Sequence, residues 1–411
     1  MESKTRKPLR RSLSLPLLTL YGLGTTIGAG VYVLLGKVVQ SAGMYAPLSF
    51  ILSCTIAAFR AFTFAELAAR FPKSAGEAVY VHEGFNSRCF AILIGLLVVA
   101  AGTVSSATIV SGYVGYLREF IDITDWPAIL LTLIGLGCIA VWGITQSVTI
   151  AAIGTLIEIS GLLLIIWGGQ SQFVEVPDRL PELMPPFETD AWLGIVAGGV
   201  LAFYAFLGFE DIVNVVEETR EPERSLPRAI IATLLITLVL YTLLSVVGVL
   251  SLSVEMLGES EAPLALVYRE TTGASSGFIA AIAIFSVLNG ALIQIIMGSR
   301  VLYGMGAQGW LPEIFANVGS RTQTPVFATV VIVLAVAVFA TWLPLVELAQ
   351  MTSFLALVVF ASANAALIRL KRRIGDAGIG FRVPLWVPVV GLCVCSAFAL
   401  YQIAGFFAEI A

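Results

Sequence analysis

Charge is what this chain has least of: only 12% of its 411 residues are Asp, Glu, Lys or Arg. Soluble domains carry roughly 25%, so no sizeable soluble domain is expected. Histidine is scarcer still. The single copy, His82, lies in a polar connection and reads as a surface residue. One histidine excludes a His-rich metal site, and no GxSxG or histidine-supported nucleophile pattern is present. Cys54, Cys89, Cys138, Cys393 and Cys395 form no CxxC pair and read as small buried hydrophobes. The phosphate-binding pattern GxxxxGK[ST] is absent, as is HExxH, which argues against ATP-driven transport and against a zinc hydrolase. No stretch interleaves basic and aromatic residues as nucleic-acid binders do. No enzymatic activity, metal, cofactor, nucleic acid or obligate protein partner is therefore expected. No cleavable signal peptide is evident, since the basic start runs into a long apolar span without a small-residue cleavage pattern.

What the chain has is apolar length. It is 58% hydrophobic, and its mean hydropathy is +0.95. Runs of about 17–28 apolar residues are candidates to cross a bilayer. Eleven are found. Five run from Leu15 to Val39, Met44 to Ala69, Phe90 to Tyr116, Trp126 to Trp142 and Val148 to Trp167. Five more run from Trp192 to Val216, Ala229 to Leu252, Ser276 to Tyr303, Val326 to Trp342 and Val346 to Leu370, and the last from Pro384 to Phe407. The expected fold class is an all-α, multi-pass integral membrane protein, with the lipid bilayer as its surroundings.

Basic residues orient the spans, because cytoplasmic loops carry an excess of Lys and Arg. With the N-terminus inside, only Lys37, Arg118, Arg179 and Arg269 fall outside, and Arg60 falls within the second span. The other Lys and Arg all lie inside. This split predicts a cell-membrane protein with a cytoplasmic N-terminus and an extracytoplasmic C-terminus. It also divides the chain. A basic N-terminus (1–14) leads into five helices (15–169). An acidic, Pro-rich external linker (170–191) is followed by five more helices (192–370). A basic loop and an eleventh helix (371–411) complete it. Five helices on each side of an external linker imply that the second half enters with opposite orientation, a common transporter plan.

The first span contains Gly24-Thr25-Thr26-Ile27-Gly28-Ala29-Gly30. Such a density of glycine suits a continuous helix poorly. A bilayer tolerates irregular backbone only where it lines a protein-enclosed cavity. A second interruption is expected near Gly208 in the sixth span. Broken helices are where secondary transporters hold their substrates.

Four long motifs carry a resemblance. They are GTTIGAGVYVLLG (Gly24 to Gly36), FAELAARFPKSAGEAVYV (Phe64 to Val81), FYAFLGFEDIVNVVEETREPERSLPRAI (Phe203 to Ile230) and SRVLYGMGAQGWLP (Ser299 to Pro312). In order and spacing the chain resembles the amino acid–polyamine–organocation (APC) superfamily of permeases. The resemblance implies a LeuT-type five-plus-five inverted repeat with broken first and sixth helices, here with one additional helix. It implies transport of an amino acid or related amine by alternating access, with proton coupling or exchange. Three departures stand out. Many relatives have twelve spans. Phe64 stands where a tyrosine is usual. Glu158 stands where many proton-coupled relatives carry a lysine, which puts their coupling scheme in doubt here.

Candidate site residues follow. Backbone N–H groups freed at Ile27, Gly28, Ala29 and Gly30 form an anion site at the start of a half-helix, and the resemblance implies that a substrate carboxylate binds there. Close helix packing is the plainer explanation of the same glycines. Carbonyls of Phe203, Tyr204 and Phe206, freed by the second break, are expected to accept from a substrate ammonium. The resemblance makes Tyr204 a gate above the substrate; ordinary apolar packing is the other reading. Glu210 and Asp211 follow the break, either as helix-start acids or, for Glu210, in coupling. Glu158 is a second coupling candidate, because an unpartnered carboxyl in apolar surroundings is cheaper as the neutral acid and can carry H+. It could instead pair with Arg60, or Arg60 could snorkel to the cytoplasmic face. Glu66 and the Glu217-Glu218-Arg220-Glu221-Arg224 cluster read first as solvated ends and loop salt bridges, and otherwise as an inner gate. A membrane amino-acid sensor that binds without transporting, and an ion channel, are the rival functions.

Overall fold

A computed structural model describes residues 9, 11–118, 124–260, 262–275, 277–342, 345–374 and 380–410. Most of the basic N-terminus and part of the predicted 371–411 segment therefore lie outside the described residues. So does the side chain of Ala29.

The first half of the chain forms α1 (Leu15–Ala42), α2 (Ala46–Arg70), α3 (Gly76–Phe85), α4 (Arg88–Arg118), α5 (Asp125–Trp142) and α6 (Ile144–Gly168). The linker contributes α7 (Gln170–Leu183). Then come α8 (Thr189–Ala205) and a 3-10 helix (Phe209–Glu218). They are followed by α9 (Pro222–Ser251), α10 (Val254–Glu259), α11 (Pro263–Thr272), α12 (Gly277–Ala307), α13 (Val326–Trp342), α14 (Leu345–Ile374) and α15 (Trp386–Ile410). Among the described residues, eight stretches are long and apolar enough to cross a membrane by length and composition. Three shorter apolar helices, Trp126–Trp142, Val326–Trp342 and Trp386–Leu400, fall where the sequence predicts its fourth, ninth and eleventh spans.

The packing explains the composition. α1 lies at the centre, against α6, α8, α9 and α12. The α2 helix runs along α8 and α9, and α4 along α12 and α14. Large apolar side chains point outward around this bundle, among them Leu131, Trp142, Trp167, Leu193, Leu334 and Trp342. In water such a surface would drive association; against lipid tails it is the natural exterior.

Both expected breaks are present. In α1 the helix is interrupted at Gly28 (φ 9°, ψ −151°). In the second, α8 ends at Ala205, Gly208 turns the chain (φ 122°), and the 3-10 helix resumes at Phe209. Some elements were not legible beforehand. The Pro-rich linker is helical despite Pro177 and Pro181, and Arg179 ties α7 to the bundle by donating to Leu250 O at 3.0 Å. Between the second and third spans, where only a polar connection was expected, stands α3.

Candidate functional site

The two breaks cross. A Cβ built on Gly30 would lie 3.1 Å from Ala205 Cα. One built on Gly208 would lie 2.7 Å from Thr25 C and O. At Gly208 only glycine permits that approach, and the positive φ asks for glycine as well, whereas at Gly30 a methyl group would be tight against Ala205. Tyr241 of α9 fastens the crossing. Its hydroxyl lies 2.9 Å from Thr26 O and 3.1 Å from Ala205 O, one carbonyl from each break. Phe50 and Phe206 pack edge-on against its ring.

Beside the crossing is a cavity of about 540 Å³, within the size range of small-molecule sites. Thr25, Thr26 and Gly30 line it from the first break, and Tyr204, Leu207, Gly208, Glu210 and Asp211 from the second. Polar side chains arrive from other elements: Glu77 from α3, Ser105 and Thr108 from α4, Gln294 from α12 and Thr352 from α14. Three of these groups are carboxyls, and among the described residues lining the cavity none is basic.

Each carboxyl is held differently. Glu210 Oε2 accepts from the Gly208 N–H at 2.9 Å, as a helix-start acid does, and the Arg60 charge lies near it. Asp211 Oδ2 accepts from Gln294 Nε2 at 2.9 Å. Glu77 Oε1 accepts from Asn214 Nδ2 at 3.3 Å, while its Oε2 is buried without a partner. Glu77 lies in α3, between the candidate spans. Burial pushes its carboxyl up to about 7; hydrogen bonds from its own backbone N–H and from Asn214 oppose this, and the nearby Glu210 adds to it.

The predicted residues divide. Gly30, Tyr204 and Glu210 line the cavity. Around a Cβ position on Gly28 there is open space within 4 Å. Ile27, Phe203 and Phe206 are buried core side chains and are not among the cavity's lining residues. The second break also frees fewer groups than expected. Phe203 O accepts from the Phe206 N–H at 3.1 Å and Tyr204 O from the Leu207 N–H at 3.2 Å, because the chain crosses the gap in tight i to i+3 turns. A carbonyl oxygen has two lone pairs and can accept a second hydrogen bond.

Glu158 lies apart from the cavity lining. It is wholly buried, with Oε1 accepting from Asn289 Nδ2 at 3.2 Å and Oε2 without a partner. Arg60 does not reach it. The Arg60 guanidinium has no hydrogen-bond partner and lies over the rings of Phe360, Phe203 and Phe209, at 4.1, 4.5 and 5.2 Å from their centroids. Nor does it snorkel to a face, being 1% exposed. Cation–π contact takes the place of an ion pair, because aromatic faces supply negative charge in a dry core.

Reading the acids at the helix ends and in the loop after the second break as solvated is corrected for two of them. Glu66 and Glu218 are wholly buried. Glu66 pairs with Arg70 and with Lys371 at 2.9 Å, and accepts from the Val383 N–H at 2.7 Å. Glu218 pairs with Arg300 at 3.4 Å. Chain folding, invisible in a loop sequence, brings α12 and α14 over these acids.

Residues 13–410 match the sequence profile of a family described as amino acid permease. The chain belongs to that family, within the APC superfamily. A vacuolar cationic amino acid transporter 4 of Arabidopsis thaliana is 32% identical over 80% of this chain and 58% of its own length. The branched-chain amino acid permease BcaP of Bacillus subtilis (strain 168) is 26% identical over 94% of this chain and 87% of its own. The chain thus spans little more than half the length of the plant transporters it matches. Among solved structures, a Na+-coupled sialic acid symporter superposes with a TM-score of 0.62, covering 94% of this chain and 88% of the other at 12% identity. At that identity the likeness is one of fold, that of a LeuT-type transporter.

Sequence reasoning missed Glu77, Gln294 and Tyr241. Glu77 stood inside a quoted motif, SAGEAVYV. An acid in the first turn of a helix reads as a dipole partner, and nothing local says that it faces a cavity.

Proposed function

We propose that this permease is a secondary transporter that moves an amino acid or related amine across the cell membrane by alternating access. The observation that carries the reading is the crossing of two broken helices beside a largely apolar cavity into which a few polar side chains converge. The α-carboxylate binds the N–H groups freed from Ile27 to Gly30. The ammonium binds the remaining lone pairs of the second break, and Tyr204 covers the pair. We further propose eleven spans in a five-plus-five inverted repeat with one added helix, the N-terminus cytoplasmic and the C-terminus extracytoplasmic. In this scheme Glu158 carries H+, since its free oxygen has no cation to neutralise it; Glu210, with Arg60 near, is the alternative carrier.

Purified protein in proteoliposomes tests the proposal. Saturable amino-acid flux is expected; binding without flux would make the protein a sensor. Glu158→Gln is expected to lose accumulation driven by a pH gradient while keeping counterflow exchange, which needs no net proton movement. Intact pH-driven accumulation would remove Glu158 from the scheme and move the role to Glu210.

A further inference from the structure

The linker helix α7 divides into three faces. At about 100° per residue, Phe173, Val176, Arg179 and Leu183 share one face. All four are half-buried, the three apolar ones against the core of the bundle, and Arg179 donates to Leu250 O at 3.0 Å. Glu175, Asp178 and Glu182 share a second face, which is exposed. Val174, Pro177, Pro181 and, just past the helix end, Met184 share the third, on the flank away from the acids. That flank is apolar and also exposed, Val174 at 79% and Met184 at 57%. Phe187, on the short segment between α7 and α8, is wholly exposed.

The uncovered flank continues the lipid-facing exterior of the molecule. Trp167, in the last turn of α6, and Trp192 and Leu193, in the first turns of α8, bracket the linker, and all three are exposed. Tryptophans at the ends of spans mark the membrane–water boundary, so the linker starts and finishes at that level. Charge points to the same surroundings. A helix with an apolar flank on one side and acids on the other suits a boundary between hydrocarbon and water. Its one basic residue, Arg179, is turned to the bundle and to Glu182, so attraction to anionic headgroups is not the force. A second copy fits less well, because a symmetric contact through this flank would bring two acidic faces near each other.

We infer that the Val174, Pro177, Pro181 and Met184 flank of α7, together with Phe187, is immersed in the headgroup–acyl boundary of the bilayer, so that the linker is a membrane-surface helix and not a loop in water. The immersion requires that the chain span a membrane and is independent of what the protein transports. It also reaches the cavity: Arg179 joins α7 to α9, the helix whose Tyr241 fastens the two breaks.

Cysteine reactivity in phosphatidylcholine nanodiscs that hold one copy of the full chain tests this. Val174→Cys, Phe187→Cys and Asp178→Cys variants are treated with a charged, membrane-impermeant maleimide. Mass spectrometry of the labelled peptide keeps the native cysteines out of the measurement. All three side chains are exposed on the protein, so the exchanges disturb no packing. Asp178→Cys, on the acidic face, is expected to react freely. Val174→Cys and Phe187→Cys are expected to react at least about tenfold more slowly, the effect on exposure of burying an apolar flank. An uncharged maleimide that dissolves in lipid should remove most of the difference. Raised salt should leave it in place, because burial of apolar surface is not screened as charge is. Equal rates at the three positions would overturn the inference. So would protection that appears only in discs holding two copies, which would assign the flank to a second copy. Protection that salt abolishes would overturn it too, since the contact would then be electrostatic.

Discussion

Gly208 combines two demands that no other residue meets. Its φ of 122° is a glycine conformation, and a Cβ there would stand 2.7 Å from the carbonyl of Thr25. Gly208→Ala is therefore expected to prevent the two breaks from crossing, with loss of folded protein by size-exclusion chromatography. Gly30 has an ordinary backbone and a 3.1 Å approach to Ala205, so Gly30→Ala should fold with a lowered melting temperature and weakened substrate binding. Glu77 predicts a pH dependence. Its carboxyl is pushed up to about 7, chiefly by burial, so the folded state holds this proton more tightly than the unfolded chain does. The resulting stability is whole below the ordinary carboxyl range and is lost as pH rises through about 7. Thermal unfolding at pH 5 and pH 8, without amino acid, should show a larger fall for the wild type than for Glu77→Gln. Equal falls would mean that Glu77 does not titrate in this window.

The crossing of α1 with the α8 break is held by an element outside both. Tyr241 on α9 offers one hydroxyl to carbonyls of the two interrupted helices. Helix breaks expose backbone groups that must find partners in a bilayer, and this hydroxyl serves two of them. Tyr241→Phe keeps the ring contacts with Phe50 and Phe206 and removes only the donor. It is expected to cost about 1 kcal/mol of stability and to weaken substrate binding more than it alters expression, which thermal melts and uptake measurements can separate. Unchanged uptake would show that the breaks keep their positions without it.

At the scale of the molecule, buried ion pairs gather where α2, the 3-10 helix, α12 and α14 meet the chain segments outside the bundle. Ser12 and Leu13 N–H groups donate to Glu218 O, so the start of the chain is tied to the same place. The Glu218–Arg300 pair is wholly buried on both sides. Removing one partner leaves a buried charge unpaired, which costs about 3–5 kcal/mol, whereas replacing both is far milder. Arg300→Ala should accordingly lower the melting temperature sharply, and Glu218→Gln with Arg300→Met should recover most of it. If the pair is an inner gate that separates during transport, the double variant should also leak substrate through proteoliposomes at a rate the wild type does not show.

Composition alone established a membrane protein, because charge at half the usual density cannot solvate a globular surface. Glycine content placed the first break within Gly24 to Gly30 and the second around Gly208, since backbone that cannot stay helical declares itself locally, and the structure puts the first at Gly28. The four motifs were enough for the superfamily. What the sequence left open were questions of neighbourhood. Whether Arg60 meets Glu158 depended on which helices face each other, and the fold gave Arg60 to three aromatic rings and Glu158 to Asn289. Whether Glu66 and Glu218 were solvated depended on residues far along the chain that come to cover them. Glu77, Gln294 and Tyr241 carry no local mark of their places, because a cavity wall is assembled from elements hundreds of residues apart. Periodicity and composition are properties of a segment, whereas the partner of a buried charge is a property of the packed whole.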